Sequence, residues 1–85
     1  MNYTVEHEKE AENDLASIWI MATDRNRIVA ASATLDREMA HDPLTLGESR
    51  ESSVRRVAFC PPIGVEFEVI EDDKRVVVEA VFRAG

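Results

Sequence analysis

The sequence has few of the residues that crosslink a small protein or build its common ligand sites. It contains one cysteine, Cys60, so no disulfide can form within the chain, which fits a reducing cytoplasm. Its three glycines, at positions 47, 64 and 85, form no glycine-rich phosphate loop. The longest apolar run, residues 18–22, is far too short to cross a bilayer, and the first residues lack the basic and apolar regions of a signal peptide. These absences predict a cytoplasmic protein with no membrane role.

Positive charge is also scarce. The 85 residues include 10 Lys and Arg against 17 Asp and Glu, a formal net charge of −7 at pH 7. Residues 1–42 hold 4 basic and 9 acidic groups (−5), and residues 43–85 hold 6 and 8 (−2), so most of the excess lies in the first half. This balance argues against a phosphate-binding surface spread over the whole protein but allows a local basic patch. The length predicts one domain, residues 1–85, with a marginal core.

The first half of the chain has the pattern of a strand followed by two helices. Residues 2–6 favour a short strand because Tyr, Thr and Val are good strand formers. Apolar residues then recur at helical spacing in two segments, with Trp19 expected in the core and Asp24 as the N-cap of the second helix. The small residues 30–33 leave one side of that helix slim enough for another element to approach. The short connection predicts an antiparallel helical hairpin over residues 8–41.

The second half predicts a loop followed by three strands. The loop covers residues 43–53, and the strands cover 54–60, 63–70 and 75–82. Short connections make these strands antiparallel neighbours. The predicted order is β-α-α-β-β-β, an α+β fold in which a two-helix hairpin packs on an antiparallel sheet of about four strands, with the first strand added at an edge or at the centre.

Alternation along the strands assigns two faces to the sheet. The helices are expected to cover Val57, Phe59, Val65, Phe67, Val69, Val76, Val78, Ala80 and Phe82. The opposite, open face is expected to present Arg56, Ala58, Gly64, Glu66, Glu68, Val77, Glu79, Val81 and Arg83. A functional site could therefore lie on the open face.

Three arginines form the one cationic cluster of the sequence, Arg50, Arg55 and Arg56. As a binding patch they could contact RNA phosphates or the acidic groove of a partner. The alternative is that they pair with glutamates close in sequence or across the strands. Both interpretations remain open at this point.

The predicted open face also combines carboxylates with arginines. Glu66, Glu68 and Glu79 are expected beside Arg56 and Arg83. A carboxylate beside an arginine can act as a general base next to a group that stabilises the transition state of RNA cleavage. The alternative is a cross-strand ladder of salt bridges that keeps an exposed sheet soluble.

The imidazoles and the thiol indicate no metal site and no cofactor. His7 and His41 lie near predicted helix ends and have no carboxylate or cysteine at metal-ligand spacing. Cys60 precedes two prolines with no histidine beside it in sequence, so it is expected to be buried and inert.

Several stretches of the chain match a known pattern in sequence and in element order. They are Tyr3-Thr4-Val5, Ala11 with Asp14-Leu15 and Ile18-Trp19, the helix from Asp24 through Leu35-Asp36, Asp42-Pro43, Gly47-Glu48-Ser49-Arg50, Val65-Glu66-Phe67-Glu68-Val69, and Val76-Val77-Val78 through Phe82-Arg83. Together they resemble the RelE/ParE superfamily of toxins from type II toxin–antitoxin systems, the plasmid-stabilisation type. The resemblance covers nearly the whole chain.

The resemblance implies a small growth-inhibiting toxin held silent by a cognate antitoxin in a hetero-oligomer. RelE-like members cut mRNA on the ribosome, whereas ParE-like members poison DNA gyrase without being nucleases. Here Gly64 stands where RelE-like toxins carry an arginine, and Phe82 stands where a histidine is frequent, although Arg83 matches the family's arginine. These departures favour a ParE-like, non-RNase toxin. The alternatives are a ribosome-dependent or free mRNA endoribonuclease, and a non-toxic binding module on the same fold.

Overall fold

Two helices and five strands make up the fold, and a computed structural model describes them for residues 2–85. In chain order they are β1 (Thr4–His7), α1 (Lys9–Met21), α2 (Arg25–His41), β2 (Glu48–Arg50), β3 (Ser52–Cys60), β4 (Ile63–Ile70) and β5 (Arg75–Arg83), with a 3-10 turn at Glu71–Asp73 before β5. The predicted α+β order is confirmed, with one addition. The segment predicted as a loop contains the short strand β2.

The strands form one mixed sheet in the order β1-β5-β4-β3-β2. The pairs from β2 to β5 are antiparallel, as their short connections require. β1 lies at an edge and pairs with β5 in parallel, with Val5 opposite Val76. No short turn joins β1 to β5, so nothing forces that pair to be antiparallel.

The helices cover one face of this sheet. α1 packs mainly on β5, and α2 packs on β3, β1 and β4. The buried residues of α2 recur at the predicted helical spacing, and they are Ile28, Ala31, Leu35 and Met39. They meet the apolar side chains of β4 and β5 to form the core. Burial of this apolar area is the main force that stabilises so small a fold.

Arg25 closes the end of α1. Its Nε donates to the carbonyl oxygen of Trp19 at 2.8 Å, and its Nη2 donates to that of Ile20 at 2.9 Å. The guanidinium also lies 4.4 Å from the centre of the Trp19 ring. The Trp19 carbonyl also accepts from the Ala22 backbone N–H, and a cation beside the last carbonyls of a helix interacts favourably with the helix dipole.

A β-bulge at Glu79 reverses the alternation of β5. Glu66 pairs with Ala80 while the next residue of β4, Phe67, pairs with Val78, so Glu79 is an extra residue on β5. After the bulge Val81 is buried on the helix side, whereas Ala80 and Phe82 lie on the open face. The predicted faces of Ala80, Val81, Phe82 and Arg83 are therefore wrong, because one inserted residue shifts every later side chain to the other face.

The predicted faces of β3 are also wrong. Ala58 lies opposite the core residue Val65 and is 1% exposed, whereas Phe59 lies opposite Gly64 and is 55% exposed. Val57 and Phe59 thus lie on the open face, and Arg56 and Ala58 lie on the helix side. The apolar run 57–60 has no alternation of its own, so pairing with β4 decides its orientation.

Candidate functional site

Strand pairing arranges the open face in rows that cross β3, β4 and β5. One row contains Phe59, Gly64 and Phe82, the next contains Val57, Glu66 and Ala80, and the third contains Arg55, Glu68 and Val77. Glu48 of β2 lies opposite Val57 and extends the middle row. The face is therefore aromatic at one end and charged over the rest.

Glu79 and Arg55 form the central ion pair of the charged region. Arg55 Nη2 donates to Glu79 Oε2 at 3.0 Å. Both side chains line a depression of about 410 Å³, together with Arg50 and Glu66. Partial burial raises the pKa of Glu79, Arg55 opposes that rise, and the neighbouring charge of Glu68 adds to it. The bulge at Glu79 orients this carboxylate toward the depression.

The open face is mostly negative. Glu48, Glu66 and Glu68 make no ion pair with any group of residues 2–85. Of the three arginines that line the depression, Arg55 is paired with Glu79 and Arg56 donates to the segment before β3, which leaves Arg50. The three predicted glutamates are thus brought close enough for the charges of Glu66 and Glu68 to act on Glu79.

The aromatic end of the face is built on Gly64. The Phe59 and Phe82 rings meet edge to face, with their centroids 5.8 Å apart and an angle of 79° between them. A Cβ on Gly64 would lie 2.6 Å from Phe82 Cζ and 3.0 Å from Phe59 Cδ1. A side chain at position 64 therefore cannot coexist with both rings where they are.

Arg56 is turned away from the open face and organises the segment before β3. It is 9% exposed and donates to the carbonyl oxygens of Leu46, Ser53 and Gly47 at 2.8, 3.1 and 3.2 Å. It also donates to Ser49 Oγ at 3.1 Å. Its predicted place beside the glutamates is wrong, because β3 presents it to the same side as Phe67.

Arg83 lies on the helix side as well. Its Nη1 and Nη2 donate to the two carboxylate oxygens of Asp24 at 3.1 and 3.3 Å. These hydrogen bonds hold the pKa of Asp24 below its ordinary value. Asp24 precedes α2, but its side chain makes no capping bond to that helix. The predicted cluster therefore loses Arg83, and Arg56 lines the depression but directs its donors to backbone carbonyls, so Arg50 and Arg55 are the cations left to face the glutamates.

The histidines and the cysteine lie away from this face. His7 Nε2 is 3.3 Å from Asp36 Oδ1, and His41 ends α2. Cys60 is a free, half-buried thiol on the helix side. Within residues 2–85 no three His, Cys, Asp or Glu side chains are grouped as a metal site would need. Neither helix there is both long and apolar enough to span a membrane.

A second surface, the helix groove, lies between α1 and α2. It has a volume of about 760 Å³, and its apolar lining includes Leu15, Trp19, Ile20, Ile28 and Val29. Ile20 is 62% exposed and Val29 is 56% exposed. The prediction that Trp19 lies in the core is wrong, because its ring is 41% exposed at the rim of this groove. The small residues Ser32 and Ala33 keep the groove open on the α2 side.

A two-helix hairpin on one face of a sheet, with the other face open, defines the class of fold. It is the RelE/ParE-like fold, and the resemblance found in the sequence is confirmed at that level. The sequence matches no protein-family model, and a comparison with curated proteins gives no match.

Solved structures with this fold include toxin–antitoxin proteins from three bacteria. A chain of the RelBE2 toxin–antitoxin complex from Mycobacterium tuberculosis matches with a TM-score of 0.76 and 17% identity, over 99% of this chain and 93% of that one. A chain of the chromosomal ParDE system from P. aeruginosa matches with a TM-score of 0.72 and 13% identity, over 98% and 97%. The isolated E. coli RelE toxin matches with a TM-score of 0.70 and 14% identity, over 98% and 85%.

Proposed function

We propose that this chain is the toxin component of a type II toxin–antitoxin pair, acting in the cytoplasm and held inactive by a cognate antitoxin. The observation that carries the proposal is the match of nearly the whole chain to toxin–antitoxin proteins of both the RelE and the ParE kind. Growth inhibition and plasmid stabilisation would follow from that role.

The helix groove supports a protein partner. Large apolar side chains such as Ile20 and Val29 are more than half exposed there, next to the Trp19 ring. A contiguous apolar surface of this kind is typical of an interaction site. An antitoxin segment that buries these side chains would stabilise the toxin and keep it in a hetero-oligomer.

The open face supports a ParE-like rather than a RelE-like mode of action. Arg56 and Arg83, the arginines predicted to assist cleavage, bind the loop and Asp24 on the other side of the sheet. His7 and His41 are also remote, so no imidazole faces the glutamates within residues 2–85. A nuclease needs an acid for the leaving 5′-oxygen as well as a base. We therefore propose a target such as DNA gyrase.

Expression in bacteria tests this role. The chain alone, induced from a tight promoter, should arrest growth, and co-expression of the neighbouring reading frame should relieve the arrest and yield a co-purifying complex. Purified chain should inhibit gyrase supercoiling and leave mRNA intact in a translating extract. Normal growth on expression of soluble chain would contradict toxicity and favour the non-toxic binding module.

A second candidate is an mRNA endoribonuclease, ribosome-dependent or free. It is favoured by Glu79, whose raised pKa and contact with Arg55 in the depression suit a general base or acid. This candidate requires mRNA cleavage in the translating extract and its loss in Glu79→Gln. Intact mRNA with the original chain would exclude it.

A further inference from the structure

We propose that the open sheet face is a docking surface for a basic polypeptide segment, one with Arg or Lys at alternate positions and an apolar side chain placed against Phe59. Both helices lie on the other side of the sheet, so neither helix covers this face, where Phe59 is 55% exposed and Val57 is 4% exposed. The inference goes beyond the proposed toxin role and does not depend on it.

Unpaired carboxylates define the charge that a partner must bring. Glu66 and Glu68 lie on the open face of one strand and make no ion pair with residues 2–85, and Glu48 adds a third such carboxylate from β2. Residues two apart on a strand are about 7 Å apart and point to the same side. An extended segment with cationic side chains at alternate positions has the same spacing, so its charges would fall on this pair.

Phe59 supplies the apolar contact. It is 55% exposed, and its edge-to-face packing on Phe82 holds the ring in a fixed orientation. An aromatic ring that is already ordered loses little conformational entropy when a partner covers it. Interfaces are enriched in such aromatic anchors, with charged residues around them.

The same charges disfavour a nucleic acid on this face. Glu48, Glu66, Glu68 and Glu79 would all repel phosphate groups, whereas Arg55 is already bound to Glu79 and only Arg50 beside them has no carboxylate partner within residues 2–85. Nucleic-acid binding depends mainly on cations that contact the backbone. The balance of the face therefore favours a polypeptide over RNA as its occupant.

A peptide-binding experiment tests this inference on the full chain. Fluorescence anisotropy is measured with a short labelled peptide that alternates Arg with Ser around one central Leu. A matched peptide has Glu in place of every Arg, and a short single-stranded RNA is the third probe. The Arg peptide should bind, with an affinity that falls as salt rises, and the other probes should not.

Variants identify the face. The double variant Glu66→Gln with Glu68→Gln should weaken binding of the Arg peptide by roughly three- to tenfold, because each exposed ion pair contributes modestly. When Phe59→Ser is added to this double variant, binding of the Arg peptide measured at low salt should weaken further. The matched control, Glu10→Gln with Glu38→Gln, removes the same charge from exposed helical positions and should leave the affinity within twofold of the unchanged chain, about the range expected for distant sites.

Two results would overturn the inference. One is Arg-peptide binding that falls equally in the control and in the open-face variant, which would show an attraction to net charge alone. The other is RNA binding that is lost when Arg50 and Arg55 are replaced by serine. Melting curves confirm that each variant is folded, and the growth test of the toxin role is independent of either result.

Discussion

The guanidinium of Arg83 holds both carboxylate oxygens of Asp24, at 3.1 and 3.3 Å. Asp24 lies in the connection between α1 and α2, and Arg83 ends β5, so the pair joins the helical hairpin to the sheet. The arginine that the sequence predicts beside the glutamates of the open face is therefore a tertiary contact between sheet and helices. It reaches Asp24 because the Glu79 bulge shifts the Arg83 side chain to the helix side of β5.

Removal of this pair is expected to reduce stability. Arg83→Ala or Asp24→Asn should lower the melting temperature by a few degrees, since the pair is partly exposed. The pKa of Asp24 is lowered, so the pair stabilises the fold above the ordinary carboxyl pKa and loses that effect as pH falls through the folded value. The difference from the unchanged chain should therefore stay constant from pH 7 to about pH 5 and shrink only below the ordinary carboxyl pKa of about 4. A difference independent of pH would contradict the ion pair, and Lys9→Ala is the control.

Loss of Arg56 should have a larger effect. Arg56→Ala removes the donors to three carbonyl oxygens, those of Leu46, Gly47 and Ser53. The change also deletes a side chain that is only 9% exposed, so urea unfolding should show a loss of about 2–3 kcal/mol. Arg55→Ala, its neighbour on the other face, should lose much less. Equal losses for the two arginines would be inconsistent with the structure.

The aromatic packing above Gly64 can be tested by a double-mutant cycle. Gly64→Ala introduces a Cβ that overlaps the Phe82 ring and should destabilise the fold by about 1–2 kcal/mol. In a Phe82→Ala background the same change should cost much less, because the overlapping ring is gone. Additive losses in the two backgrounds would show that the two positions do not contact each other.

Glu79 should make stability depend on pH in the opposite direction from Asp24. Its pKa is raised in the folded state, so the protonated carboxyl favours folding and this effect is lost as pH rises through the folded value. The side chain of the Glu79→Gln variant is neutral at every pH, so the variant does not lose this effect. Its stability relative to the unchanged chain should therefore increase as pH rises above the ordinary glutamate pKa. Urea unfolding at several pH values measures this trend, with Glu38→Gln as the control for net charge. A flat or falling difference would refute it.

The helix groove is where binding of the proposed antitoxin should be most sensitive to substitution. Ile20→Ser and Val29→Ser change exposed side chains, so they should leave the melting temperature almost unchanged. Together they should weaken binding of the co-expressed partner at least tenfold, by roughly the transfer free energy of the two side chains. Leu44→Ser, an exposed apolar residue outside the groove, is the control. Co-purification and calorimetry give the comparison.

The element order could be predicted from the sequence because each element has a periodic signal. Ile28, Ala31, Leu35 and Met39 recur at helical spacing, and all are buried as expected. Trp19 follows the same periodicity but lies at the groove rim, since α1 and α2 are separated by that groove. A period shows which side of a helix is apolar, and it does not show what covers that side.

The composition of the candidate site could not be predicted as well. Its glutamates were identified, but both arginines expected beside them lie on the other face. The β5 error arises from the bulge at Glu79, and the β3 error from an apolar run in which Val57 and Ala58 carry equal signals. In both strands the deciding information is cross-strand register, which depends on residues distant in sequence.

The parallel pairing of β1 with β5 also sets the order in which the chain can assemble. Thr4 meets Arg75 across that pair, so the edge of the sheet closes only after the last strand has left the ribosome. Until then α1 has no β5 to pack against, and its apolar side remains available to other proteins. Contacts between segments so far apart in sequence slow folding. A nascent chain of this kind would therefore keep the apolar side of α1 uncovered until β5 has been made, and a partner made beforehand would have time to meet it.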